Sequence, residues 1–270
     1  MIEVYKKHHY DLMQCIEFIN KHQPAFLRDF ANVYKSNKHL LPFFKDIKAF
    51  ADNLETPEII IIQKGENLFI SANENCDEYD NVLKEFMQKC FEKSNALWLN
   101  LSSEGLKPKI NILFEKHNPE NLVRYNFRLK EQAYSKLQNW RDKIPPGFSI
   151  EYYDANSVDF RKKHDRRDEC WFPESNRFAF VAIYDDKIVS ECFSVFVDDG
   201  VAEVGIETDE NFRRKGLAYL TAAAFIEHCS KNGLETNWGC WQHNPGSVAL
   251  AEKLGYELVG EGVCVKVIVN

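Results

Sequence analysis

No apolar run in this chain approaches the roughly 20 residues a membrane-spanning helix requires; the longest, such as Ile59 to Ile62, are only a few residues. A membrane protein is not expected. The start, Met1-Ile2-Glu3-Val4-Tyr5-Lys6-Lys7-His8-His9, lacks the apolar stretch of a secretory leader, so a cytoplasmic location is expected. Cys-x-x-Cys is absent too. The eight cysteines (15, 76, 90, 170, 192, 229, 240 and 264) are dispersed, which argues against a disulfide framework and against a clustered zinc site. Reduced, semi-buried thiols and no structural metal are expected. Positive charge is in short supply: 34 Lys and Arg against 41 Asp and Glu give a net charge of −7. Neither nucleic acid nor an anionic membrane surface is an expected partner of such a chain. Both common mononucleotide loops, Gly-x-x-x-x-Gly-Lys-Ser/Thr and Gly-x-Gly-x-x-Gly, are missing. What remains is an ordinary globular balance, 44 % apolar and 13 % aromatic over 270 residues, enough for one large domain or two small ones.

A break falls at Ile144-Pro145-Pro146-Gly147, where two prolines remove amide donors and fix φ. It divides the chain into an accessory part, 1–145, and a second part, 146–270. In the first part, helices are expected between Asp11 and Phe50, followed by a hairpin of Ile59–Ile62 and Leu68–Ile70 around Lys64-Gly65-Glu66-Asn67. Val82, Leu83, Phe86, Met87, Cys90 and Phe91 recur at helical spacing, and strands are expected at 96–99 and 123–129. Trp140 to Lys143 reads as the exposed end of a helix. No motif in this part carries chemistry, and a scaffold or lid is its expected role.

The second part alternates more regularly. Strands are expected at 148–153, 177–184, 188–196, 201–208, 235–241, 256–261 and 263–269, with helices at about 155–166, 216–231 and after Asn244. Asn232-Gly233 closes the second helix in a left-handed cap, and Asn244-Pro245 opens the third as N-cap and first helical residue. The fold class is α/β (α+β), in the order β-α-β-β-β-α-β-α-β-β.

Arg213-Arg214-Lys215-Gly216-Leu217-Ala218 lies between a strand and an amphipathic helix. A helix start has free N–H groups and partial positive charge, Gly216 and Ala218 permit close approach to backbone, and three cations match phosphate oxygens. The turn is a candidate pyrophosphate site; a solvated basic loop is the alternative reading of the hexapeptide alone.

At this turn the second part resembles the GNAT acetyltransferase superfamily. Arg213, Gly216 and Ala218 fill its diphosphate signature, the element order over about 148–262 is that of its fold, and Asn244-Pro245-Gly246-Ser247 with Leu254-Gly255-Tyr256 is similar to its second coenzyme motif. The resemblance implies a mixed, mostly antiparallel central sheet flanked by helices. It implies acetyl-CoA as co-substrate, held by the amides of Arg214, Lys215, Gly216, Leu217 and Ala218. The backbone of Ile206 and Thr208 would pair with pantetheine, and Asn244 would contact the same arm with Ser247 nearby. Asn244 also serves as a plain helix cap. By element order alone, the first part resembles an incomplete copy of the same fold.

The implied reaction is direct attack of a small-molecule amine on acetyl-CoA, without a covalent enzyme intermediate. It needs an oxyanion donor, a base and a proton for the leaving thiolate. The backbone N–H of Ile206 or Thr208 is the candidate donor. Glu203 and Glu207, on one strand face with Gly205, are the candidate bases; solvated surface carboxylates are the alternative. Ala251 stands where many relatives carry a proton-donating tyrosine, so that role passes to water or another residue, with Cys240, His243 and Tyr256 nearby in sequence. Trp171 and Trp241, with Phe172 and Trp238, are candidates for the acceptor pocket, and Glu174 with Glu203 and Glu207 would favour a cationic amine. Two other readings stay open: a coenzyme-binding sensor without turnover, and acyl or aminoacyl transfer to a macromolecule. The oligomeric state is not legible.

Overall fold

A computed structural model describes residues 2–3, 47–52, 58–72, 79–92, 94–101, 103–137, 139–154, 177–198 and 200–268. The expected helices before residue 47, the helix at 155–166, and Trp171, Phe172 and Glu174 lie outside them. The chain divides by contacts into Met1–Arg124 with Glu261–Asn270, and Tyr125–Gly260. Among the described residues no helix is long and apolar enough to cross a membrane.

In the first unit, β1 (Ile2–Glu3), β2 (Ile47–Ala51), β3 (Ile59–Lys64) and β4 (Asn67–Ala72) pair antiparallel in sequence. The two-residue loop Gly65-Glu66 joins β3 to β4, with Gly65 at φ +57°, as a tight hairpin requires. Helix α1 (Tyr79–Phe91) crosses over to β5 (Ala96–Leu101), which is therefore parallel to β4. On the other side of β5 runs the last strand, β12 (Tyr256–Ile268), from Val263 onward. Ile59, Ile61, Leu68, Leu83, Met87 and Val265 pack into one core with α2 (Leu106–Leu113). Helix was expected through Phe50; Ile47–Ala51 is strand instead. Its five-residue ladder with Ile60–Lys64 decides the matter, and such pairing overrides local propensity.

The second unit orders its strands as Tyr256–Gly260 of β12, β6 (Glu120–Leu129, here from Tyr125), β11 (Glu235–Trp241), β10 (Val201–Thr208), β9 (Lys187–Asp198), β8 (Phe178–Tyr184) and β7 (Phe148–Asp154). From β7 to β10 the pairing is antiparallel, and β10 with β11 is parallel. A mixed, mostly antiparallel sheet with flanking helices was the expected class, and it is what forms. Expected as two strands, 256–268 is one, running unbroken through Gly260 and Gly262.

Between β6 and β7 lie a short helix, α3 (Ala133–Leu137), and a 3₁₀ turn, Arg141–Lys143. Trp140 was expected to be exposed but is buried. Its indole donates to Glu227 Oε2 at 2.9 Å, a carboxylate that also pairs with Arg141 at 2.9 Å and Lys231 at 2.8 Å. Burial alone would raise the Glu227 pKa. Hydrogen bonds from Lys231, Trp140 and Arg141 outweigh it and hold the carboxyl down to about 2.

Glu227 belongs to α4 (Leu217–Lys231), whose fifteen residues include nine buried ones, so the helix is enclosed on most of its surface. Three consecutive alanines, Ala222 to Ala224, let it sit close against β8, β9 and β10. The remaining helix, α5 (Pro245–Leu254), ends at Gly255, φ +97°, where a β-carbon would stand 2.5 Å from Ala133 Cβ.

Candidate active site

Strands β10 and β11 pair from Val201/Glu235 to Val204/Trp238, and there the ladder ends although both strands continue. The last residues of β10 have backbone groups that β11 does not take up on that side. On its other edge β10 stays fully paired with β9 as far as Thr208/Ser190. The Ser190 hydroxyl sits 2.7 Å from the Thr208 hydroxyl and donates to the Glu207 carbonyl, which fixes the strand end.

After Thr208 the chain turns sharply. Asp209 caps the 3₁₀ turn Glu210–Phe212 by accepting from Asn211 N at 2.9 Å. Arg213 is extended, and its Nε donates to Thr208 O at 3.3 Å. Arg214 and Gly216 then adopt left-handed conformations, φ +63° and +80°. For Arg214 that conformation is uphill by roughly 1–3 kcal/mol, a cost that marks the turn as over-determined by its surroundings. Gly216 is the N-cap of α4 and supplies no side chain to the first amides. A β-carbon there would meet no atom within 4 Å. The helix therefore begins with unfilled donors facing open space, the arrangement that suits an anion.

That space is a cavity of about 710 Å³. Ile206, Glu207 and Thr208 border it from β10; Arg213, Arg214, Gly216, Leu217 and Ala218 from the turn; and Asn244 and Ser247 from the start of α5. Asn244 Oδ1 accepts from Ser247 N at 3.2 Å, so the cap forms as the sequence indicates, with Pro245 in the first turn. The Ser247 hydroxyl in turn accepts from Trp238 Nε1 at 3.1 Å, which anchors α5 to the buried end of the β10/β11 ladder.

Several nominated residues lie off this cavity. Lys215 places its Nζ 5.0 Å over the Phe212 ring and does not border it. Glu203 is buried, its carboxylate accepting from Asn237 Nδ2 at 2.6 Å. It shares the β10 face of Glu207, because β10 itself carries no inserted residue; the register shift between Glu203 and Val204 adds its extra residue on β9. Trp241 is half-buried and stacks on His243 at 6.2 Å, away from the cavity lining. Trp238 is core. Tyr256 is buried and does not border the cavity; its hydroxyl donates to Thr236 Oγ1 at 2.7 Å, and burial pushes the phenol well above its ordinary pKa. Cys240 is buried, and neither it nor His243 borders the cavity.

Sequence reasoning missed Phe212, Tyr219, Leu250 and Lys253, which line the space together with Gly246 of the Asn244 motif. A signal existed: Gly246, Leu250 and Lys253 recur at i+4 and i+3 on α5, and Tyr219 follows Gly216 by three residues at the start of α4.

A sequence profile described as GNAT acetyltransferase matches residues 47–264. The chain belongs to the GNAT acetyltransferase family. It is an enzyme, an acyltransferase. The match reaches well before the second part and takes in most of the first, where no motif was legible. A relative, the uncharacterized N-acetyltransferase YdfB of Bacillus subtilis (strain 168), is 26 % identical over 223 residues, 78 % of this chain and 82 % of that one. A solved GCN5-related N-acetyltransferase-like protein from Streptococcus suis 89/1591 superposes with a TM-score of 0.63 at 19 % identity, covering 96 % of this chain and 100 % of that one. A tandem GNAT protein from the clavulanic acid biosynthesis pathway gives a TM-score of 0.55 at 9 % identity, covering 96 % and 95 %. At these identities the solved structures establish the fold.

Proposed function

We propose that this GNAT enzyme transfers the acetyl group of acetyl-CoA to the amine of a small-molecule acceptor by direct attack. The observation that carries the reading is the start of α4, with no side-chain cap, opening through Gly216 onto the cavity. Amides from Arg214 to Ala218 hold the diphosphate, with Arg213, Arg214 and Lys215 supplying charge around it. The unpaired edge of β10 at Ile206 and Thr208 binds the pantetheine amides as one more strand would. Asn244 reaches the same arm with its amide nitrogen, since its oxygen is engaged by Ser247 N.

In this reading the N–H of Ile206 or Thr208 stabilises the oxyanion as the amine nitrogen bonds to the thioester carbon. Glu207, which borders the cavity, accepts the ammonium proton directly or through water. Glu203 lies deeper on the same face and acts through an intervening water if it is the base. The C–S bond then breaks and the thiolate takes a proton from water, Ala251 being unable to supply one. Trp171 and Trp241 are proposed to border the acceptor, and the carboxylates of that face favour a cationic amine. The residues proposed for the diphosphate and the pantetheine arm fall between 206 and 247, which supports 146–270 as the catalytic part. Residues 1–145 are proposed as an accessory, incomplete copy of the fold.

Thiol release from acetyl-CoA across a panel of amines tests the proposal. Release that depends on one amine class, with one acetyl amide formed per thiol, is expected. Coenzyme binding with no thiol release for any amine, cationic ones included, would overturn the small-amine assignment.

A further inference from the structure

Tyr219 and Lys253 have no part in the scheme above, yet both border the cavity. Tyr219 lies in the first turn of α4, three residues beyond Gly216, and Lys253 lies on the last turn of α5. The Lys253 Nζ stands 5.2 Å from the centroid of the Tyr219 ring. From a third element, the 3₁₀ turn Arg141–Lys143, the Lys143 Nζ reaches to 5.7 Å from the same centroid. An ammonium over a phenol face is held by the ring quadrupole, so Tyr219 draws in a cation from each of two elements. Neither lysine has a carboxylate in ion-pair range among the described residues. Two like charges drawn to one ring repel each other, and a multiply charged anion beside the ring relieves that repulsion.

We infer that Lys253 and Lys143, gathered on Tyr219, bind the 3′-phosphate of the coenzyme and make the enzyme select the 3′-phosphorylated carrier over its dephospho form. The inference rests on the coenzyme reading of the cavity. In that carrier the 3′-phosphate is borne on the ribose attached directly to the diphosphate, so a phosphate site must lie near the diphosphate turn. Tyr219, immediately past the amides proposed for the diphosphate, occupies such a place. Both lysines are exposed, so each contact is partly screened, and the preference should weaken as salt is raised.

The experiment is calorimetric titration of the full chain with coenzyme A and with 3′-dephospho-coenzyme A, repeated on K253Q, K143Q and the double variant. The wild-type protein should bind coenzyme A roughly 5- to 30-fold more tightly than the dephospho form. The double variant should lose that difference through weaker binding of coenzyme A alone, with dephospho-coenzyme affinity unchanged and an unchanged melting temperature. Equal wild-type affinities for the two ligands would overturn the inference and leave the coenzyme reading standing. Equal weakening of both ligands in the variants would overturn it as well, by showing a general charge effect. Binding of neither ligand to the wild-type protein would remove the coenzyme reading and the inference together.

Discussion

Replacing Gly216 by valine separates the site from the fold, provided that Gly233 is changed in the same way as a control. Both glycines have left-handed backbones, φ +80° and +69°, and a β-carbon at either meets no atom within 4 Å. Valine at such a φ is strained by roughly 1–3 kcal/mol, and that cost should be similar at the two positions. For a protein of this size each kcal/mol lowers Tm by about 2–4 °C, so both variants should melt a few degrees to about 12 °C early. Of the two, Gly216 alone borders the cavity. A side chain there displaces the diphosphate from at least two amides, and hydrogen bonds to charged groups contribute about 1.5–3 kcal/mol each. Coenzyme affinity should therefore fall by roughly 10²- to 10⁴-fold in G216V and by less than about threefold in G233V. Calorimetry with coenzyme A and thermal melting of both variants provide the readouts. Matching affinities in the two variants would refute the reasoning, because strain alone would then account for everything Gly216 does.

Three further outcomes follow from particular contacts. Glu207→Gln should lower kcat by about 10²- to 10⁴-fold while coenzyme affinity stays nearly constant; a kcat close to wild type would remove Glu207 as the base. The Glu227 carboxyl is held at about 2 by Lys231, Trp140 and Arg141, so its stabilising effect is present above the ordinary carboxylate pKa and is lost as pH falls from about 4.5 toward 2. Urea unfolding of Glu227→Gln against wild type should show a deficit of at most on the order of 3 kcal/mol at pH 7 that closes near pH 2, and a deficit independent of pH would contradict this. Gly255→Ala meets both a left-handed φ of +97° and the β-carbon of Ala133 at 2.5 Å. It should cost about 2–5 kcal/mol of stability without a specific loss of coenzyme affinity, and a wild-type melting temperature would show that the α5 terminus relaxes freely.

Local rules made much of the second unit legible. The left-handed Gly233, the helix end at Gly255, the Asn244 cap and Pro245 at the first helical position are all decisions taken within one turn of chain, and each lies where the sequence puts it. Pairing over long distances was not legible. Ile47–Ala51 is a strand because β3 offers it a ladder, and 256–268 runs as one strand through two glycines, its end paired with β5. Pro108 stands in the first turn of α2, where no intrahelical donor is lost. In the site, the diphosphate turn was visible as a motif. Tyr219 and Lys253 were not, because they matter only once α4 and α5 are packed side by side.

The most direct measurement is a crystal structure of the chain grown with acetyl-CoA. The account predicts phosphate oxygens within hydrogen-bond distance of amides between Arg214 and Ala218, with the pantetheine arm laid along Ile206 and Thr208. Coenzyme bound elsewhere, leaving that helix start facing solvent, would contradict it.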